Sequence, residues 1–196
     1  KPFSGTQITL LGYYQHDRVN GDTNGFLPAA GTLLPNPVGK VRIGTNLGEP
    51  DYNFYRRNQW GVGYQFTQQI TDNFKFEQNT KWFDYGEFQH VIYGGGGLLA
   101  DNRTVVRFNF PYKEDVHEFA IDNRLQGKFN VGDFENRLTA GLDYRNFRNA
   151  SFFGFSGAPS IDLFNPVYGQ GGPIVTPAFF PFTNARRKQT GAYVQD

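Results

Sequence analysis

The chain has 196 residues, with 19 Lys and Arg against 18 Asp and Glu for a formal net charge of +1, no cysteine, no methionine, and a mean hydropathy of −0.54. No run approaches the ~18 consecutive apolar residues of a membrane helix, the near-neutral charge carries no nucleic-acid footprint, and a chain without cysteine uses neither disulfide nor thiolate chemistry. Low mean hydropathy leaves a membrane β-barrel open, because a spanning strand shows lipid only every second residue and its long loops are wet.

Six segments read as strands: Thr6–Asp17, Tyr55–Ile70, Phe74–Tyr85, His117–Asn130, Glu135–Asn146 and Lys188–Asp196. In the second, Trp60, Val62, Tyr64, Phe66 and Ile70 fall on one face, broken only by Gln68, and Gln59, Gly61, Gly63, Gln65, Thr67 and Gln69 fall on the other. The fourth sets Phe119, Ile121, Leu125 and Phe129 against Glu118, Asp122, Arg124, Gln126, Lys128 and Asn130. The fifth sets Leu138, Ala140, Leu142 and Tyr144 against Arg137, Thr139, Asp143 and Arg145. The first divides less cleanly, with Ile8, Leu10 and Tyr14 one way and Leu11 and Tyr13 the other, so its register stays open. Alternation alone fits a soluble sandwich as well as a barrel. Length favours the barrel, since globular strands cluster near ~5–6 residues and a tilted spanning strand needs ~9–11.

The connections alternate in length. Thr71-Asp72-Asn73 joins the second and third segments, and Val131-Gly132-Asp133-Phe134 the fourth and fifth. Residues 18–54, 86–116 and 147–187 form the other three, each roughly 30–40 residues against the ~2–5 of a hairpin loop. In an up-and-down meander every second connection lies at the same end. The expectation is an all-β antiparallel sheet, curved and sequential, with long loops at one end and tight turns at the other, the habit of outer-membrane barrels. Phe66, Phe74, Phe76, Phe129 and Phe134 crowd the tight-turn end as an interfacial girdle. Six strands leave two open edges, which lipid does not tolerate. With Lys1 beginning abruptly and Asp196 falling inside a strand-like run, the segment reads as part of a longer barrel.

Catalytic signals are absent. His16, His90 and His117 are dispersed without metal-ligand spacing, and the carboxylates form no evident catalytic pair. The Gly94–Gly97 run lacks the Lys-Ser/Thr and βαβ context of a phosphate loop and reads as a flexible loop apex. The long connections are instead aromatic: Phe26, Tyr52, Phe54, Phe88, Tyr93, Phe152, Phe153, Phe155, Phe164, Tyr168, Phe179, Phe180 and Phe182 lie in or beside them. Such rings either pack the loops against one another or hold a bulky uncharged ligand by van der Waals contact.

The stretches GFLPAAGTLLPNPVGK (Gly25–Lys40), GEPDYNFYRRNQWGVGYQF (Gly48–Phe66), FKFEQNTKWF (Phe74–Phe83), VIYGGG (Val91–Gly96), DNRLQGKFNVGDFENRLTAGLDYR (Asp122–Arg145), IDLFNPVYG (Ile161–Gly169) and QTGAYVQD (Gln189–Asp196) resemble, in order, the barrel of TonB-dependent siderophore receptors of the ferric hydroxamate type. The resemblance implies a segment of a 22-stranded barrel in the Gram-negative outer membrane, plugged by an N-terminal domain and energised through the TonB complex. It implies a ferric siderophore as transported ligand, no cofactor and no enzymatic activity. Carried over by position, the aromatic before Leu-Pro is Phe26, the Tyr of VIYGGG is Tyr93, and the aromatic after the strand matching GLDYR is Phe152 or Phe153. Asn24 and Gly95 stand where ferrichrome-type receptors carry further aromatics, which implies a wider or more polar pocket. A passive porin-like channel and a soluble β-rich carbohydrate-binding module are the other two readings. A constriction loop with opposed charge rows would mark the first, and stability as a monomer in water without detergent the second.

Overall fold

A computed structural model describes residues 4–21 and 26–196. Six long strands, β1 (Thr6–Asn20), β2 (Phe54–Gln69), β3 (Phe74–His90), β6 (Tyr112–Val131), β7 (Phe134–Phe153) and β9 (Phe180–Gln195), form one antiparallel sheet in the order β1-β2-β3-β6-β7-β9. The sequential meander expected from the connections is therefore present, with every long connection at one end. The sheet does not close, since β1 and β9 each pair along one side only. A feature the sequence reading missed lies inside the long connections. Three short strands, β4 (Ile92–Leu98), β5 (Thr104–Asn109) and β8 (Ser156–Asp162), build a second sheet in the order β4-β5-β8.

The long strands also run beyond their predicted limits at the long-loop end. The largest extension is at β9, which begins at Phe180 rather than Lys188. Phe74–Tyr85 extends to His90, His117–Asn130 starts at Tyr112, and Glu135–Asn146 continues to Phe153. The hydrophobic alternation fades there, but backbone pairing does not. At the other end β6 and β7 meet in a two-residue hairpin, with Gly132 at φ 62° supplying the positive φ such a loop requires.

Register sorts the side chains. Phe66, Gln78, Asn123 and Leu142 are successive partners across four strands, so Trp60, Val62, Tyr64, Phe66, Leu138 and Leu142 share one face. Leu10 opposite Tyr64 settles β1: Ile8, Leu10 and Tyr14 join that apolar face, and Leu11 and Tyr13 the polar one. No second sheet covers it; Val62 is 52% exposed and Leu142 59%. Aromatic rows bound it at both ends, with Phe66, Phe74, Phe76, Phe129 and Phe134 near the tight turns and Tyr14, Trp60, Trp82, Phe119 and Tyr144 toward the long loops. From Phe119 to Phe129 is about 33 Å of strand, or about 25 Å of height at a tilt of ~40°, the thickness of an outer-membrane apolar band. Beyond the second row the same face turns polar, with Asp84, His117, Arg148, Arg186 and Lys188.

The polar face is braced across strands. Arg57 pairs with Asp17 at 2.5 Å, Arg145 with Glu118 at 2.6 Å and Arg124 with Glu77 at 3.9 Å, while Arg124 also pairs with Asp122 of its own strand at 3.0 Å. Two tyrosines lie over glycines of the neighbouring strand. A Cβ on Gly61 would stand 2.4 Å from the Tyr13 ring, and one on Gly141 would stand 2.2 Å from Tyr193, whose hydroxyl donates to Asp122 at 2.8 Å. These glycines are the recesses that let a bulky ring lie flat along the wall.

Candidate ligand-binding face

The second sheet is a cap with two unlike faces. Along β5, Val105, Arg107 and Asn109 are buried while Thr104, Val106 and Phe108 are only half-covered, the period-2 pattern of a strand packed on one side. Beneath the buried side, Val41, Leu47, Val105, Ile161 and Leu163 form a small core drawn from all three long connections. Asn53 ties it to the first sheet by donating to Ile92 O at 2.9 Å and accepting from Ile92 N at 2.8 Å. The Tyr52 hydroxyl lies 3.1 Å from both Asn109 and Thr176, and that of Tyr168 donates to Asn46 O at 2.9 Å.

The Gly94–Gly97 run is not a flexible apex, contrary to the sequence reading. It is part of β4, and Gly94 is buried: a Cβ there would stand 2.7 Å from Leu47 and 2.9 Å from Val105. Glycine is needed because β4 lies directly on the cap core. The turn falls later, at residues 99–103, where Asn102 has φ 58°. Asp101 organises it, accepting from Arg103 N at 3.0 Å, Thr104 N at 2.9 Å and the Thr104 hydroxyl at 2.5 Å. Chiefly through the Thr104 hydroxyl and amide, the Asp101 carboxyl is held down to about 2. At Asp162 burial opposes ionisation, yet Arg103 and the amides of Phe164 and Asn165 outweigh it and hold the carboxyl below its ordinary range.

The other side of the cap is aromatic. Tyr93, Phe108 and Gly157 are in register across the three strands. The Tyr93 and Phe108 rings lie 6.1 Å apart, and Phe155 continues the row 5.1 Å from Phe108. Tyr93 leans across Gly95, where a Cβ would stand 2.7 Å from its ring and 3.3 Å from that of Phe108. The space over Gly95 is thus filled by the Tyr93 ring. A row of tilted rings with a phenol at one end can hold a large, weakly polar ligand and orient its carbonyls.

The four residues singled out from the sequence are placed differently. Tyr93 lies on the aromatic face. Phe26 is 88% exposed on the first long connection and touches no other ring among the described residues. Phe153 lies on the polar parity of the wall, stacked 5.7 Å from Phe110 and edge-on to Phe182 at 5.4 Å, whereas Phe152 has the apolar parity beside Lys113. Asn24 lies outside the described residues. Phe108 was not singled out, because the alternation along Thr104–Asn109 that sets it apart is one of burial, with Arg107 and Asn109 on the covered side. The histidines stay apart: His16 bonds Asn58, His90 packs among Tyr52, Phe54 and Phe88, and His117 pairs with Asp84. Among the described residues no group of His, Cys, Asp or Glu could hold a metal ion.

A girdled apolar face, a polar opposite face and long loops folded into a cap define a segment of outer-membrane barrel wall. The chain belongs to the family described as TonB dependent receptor-like, beta-barrel, which matches residues 2–196. It is 31% identical over its whole length to the ferrichrome outer membrane transporter/phage receptor of Escherichia coli K12, of which it covers 29%. It is 30% identical over 97% of its length to the ferrioxamine B receptor of Salmonella typhimurium SL1344, of which it covers 26%. The chain thus spans less than a third of these relatives. Among solved structures it resembles the siderophore receptor PiuA of Acinetobacter baumannii, with TM-score 0.73, 17% identity, and coverage of 97% of this chain and 30% of that one. It also resembles BauA, the ferric preacinetobactin receptor of the same organism, with TM-score 0.71, 16% identity, and coverage of 98% and 35%. At those identities the structural likeness speaks for the fold.

Proposed function

We propose that this chain is barrel wall and cap of a Gram-negative outer-membrane receptor that imports a ferric siderophore of hydroxamate type, driven through the TonB complex, with no covalent chemistry of its own. The observation that carries the reading is the Tyr93–Phe108–Phe155 row on a cap seated over a buried apolar core. The relatives that bind ferrichrome and ferrioxamine B by name support the ligand class. Phe26 and Phe153 would complete the contact surface from neighbouring connections, with Phe152 bracing the wall behind them. A passive channel would need opposed charge rows, and the cap presents rings instead.

The test is ferric hydroxamate binding to the full-length receptor. Truncating Tyr93 or Phe26 to Ala removes a ring that the ligand would bury, at about 1.5–3 kcal/mol, or roughly 10–150-fold in affinity. Phe179→Ala, which removes a ring packed 6.3 Å from Phe88, is the control and should leave affinity near wild type. Unaltered affinity in both Tyr93→Ala and Phe26→Ala would reject the assigned face.

A further inference from the structure

One ion pair is buried in the cap and takes no part in its aromatic face. Arg107 is 1% exposed and Glu49 4%, and they meet at 2.7 Å. Burying two charges is costly, and such a pair persists only where the remaining donors and acceptors are also satisfied. Here the backbone of two distant connections satisfies them. Arg107 Nε donates to Pro159 O at 2.6 Å, on β8. Its Nη1 donates to Gly48 O at 3.0 Å and to Leu47 O at 3.3 Å, in the first long connection. The free oxygen of Glu49 accepts from Gly169 N at 2.9 Å, back in the third. A residue of the second long connection thus joins the first and third at four points.

Only a guanidinium can do this. Its planar fork sends donors in fixed, divergent directions, whereas a lysine ammonium is a point charge on a flexible stem. The adjacent residue is Phe108. Successive side chains of a strand point to opposite faces, so whatever fixes Arg107 fixes the slope of the strand that presents Phe108 and, in register beside it, Tyr93.

We infer that Arg107 is a positioning residue for ligand capture. Acting through Glu49 and the three loop carbonyls, it makes the long connections one rigid body and sets the angle of the Tyr93–Phe108 face. The affinity part of this inference rests on the ligand reading above; the rigid-body part does not.

The experiment uses the full-length receptor, with Arg107→Lys and Glu49→Gln as separate variants. Each retains most of the packing, and heat-resistant migration of the barrel reports that it has folded. Spin labels at exposed Ile43 and Val175, on the first and third connections, report the distance between them. Ferrioxamine B is the ligand probe. The expected result is one narrow distance in the parent receptor, a broadened distribution in both variants, at least a tenfold loss of affinity in Arg107→Lys, and an unchanged barrel. Adding Arg107→Lys to a Tyr93→Ala/Phe108→Ala background should cost less than about twofold more, because the face it positions is already gone. Parent-like distances in Arg107→Lys would overturn the rigid-body claim by showing that the pair needs only a positive charge. An equal loss in both backgrounds would overturn the positioning claim. If the parent receptor does not bind the probe, the ligand reading fails alone, and the distance measurement still decides whether the connections form one body.

Discussion

Individual residues carry two of the constraints on this wall. At Gly141 an added methyl would enter the Tyr193 ring at 2.2 Å, so Gly141→Ala should lower stability by about 1–3 kcal/mol through overpacking. Gly141→Ala combined with Tyr193→Ala should recover much of that loss. Reversible unfolding of the full-length barrel in lipid measures both, and purely additive losses would show that the ring is not what fills the recess. Asp101 provides a pH test in the cap. Its carboxyl is held at about 2 against an ordinary 3.8, so its contribution to the turn is present above that ordinary value and disappears as the pH falls through about 2. Protection of the amides around residues 99–104, taken against their intrinsic exchange rates, should therefore fall between pH 4 and 2. Asp101→Asn should remove that pH dependence. The sequence named Tyr93 but not Phe108, because the contrast between them and the buried Arg107 exists only once β5 has a covered side.

At the scale of the strand, parity decides what is tolerated. Leu142 lies on the girdled apolar face, and replacing it with Arg should cost about 2–4 kcal/mol near the bilayer midplane. Thr139, of opposite parity, should accept Arg at much smaller cost. Equal losses, measured by unfolding in lipid, would mean that the lipid-facing side has been misassigned. This part of the fold was legible in the sequence because burial against lipid imposes a period of two over Trp60–Phe66, Phe119–Phe129 and Leu138–Tyr144. The cap strands were not legible, for a different reason. The Gly94–Gly97 run has no side chains from which to read a period, and glycine is ordinarily depleted in strands. What makes β4 a strand is its pairing with β5 and its seat on Leu47, a residue of the first long connection far away in sequence. The added lengths of β3, β6, β7 and β9 escaped notice similarly, since rings and polar groups mix there on both faces and leave no period of two to read.

For the whole molecule, the open sheet is the governing fact. β1 and β9 each offer an unpaired edge, and exposed strand edges recruit other chains. The relatives are more than three times as long as this chain, consistent with further strands pairing there in a complete receptor. Expressed by itself in aqueous buffer, residues 1–196 should aggregate, and the full-length receptor in detergent should not. A stable, monodisperse monomer of the segment in water, seen by sedimentation, would overturn the membrane-wall reading and favour a soluble module.

The strands do not stop where the apolar band stops. On β6 the ladder continues from Phe119 to Tyr112 before the cap begins, about 23 Å of strand and some 15–20 Å of height at the same ~40° tilt. The wall therefore continues beyond the apolar band as a parapet before the cap, with its aromatic row, begins. A carrier that stays dissolved reaches that row directly from the medium. One anchored in the bilayer by a fatty tail would have to withdraw the tail from lipid to reach it, at ~0.8 kcal/mol for each methylene exposed. If the row takes a ferric chelate, as proposed above, the height of the parapet favours hydrophilic chelates before any side chain touches them.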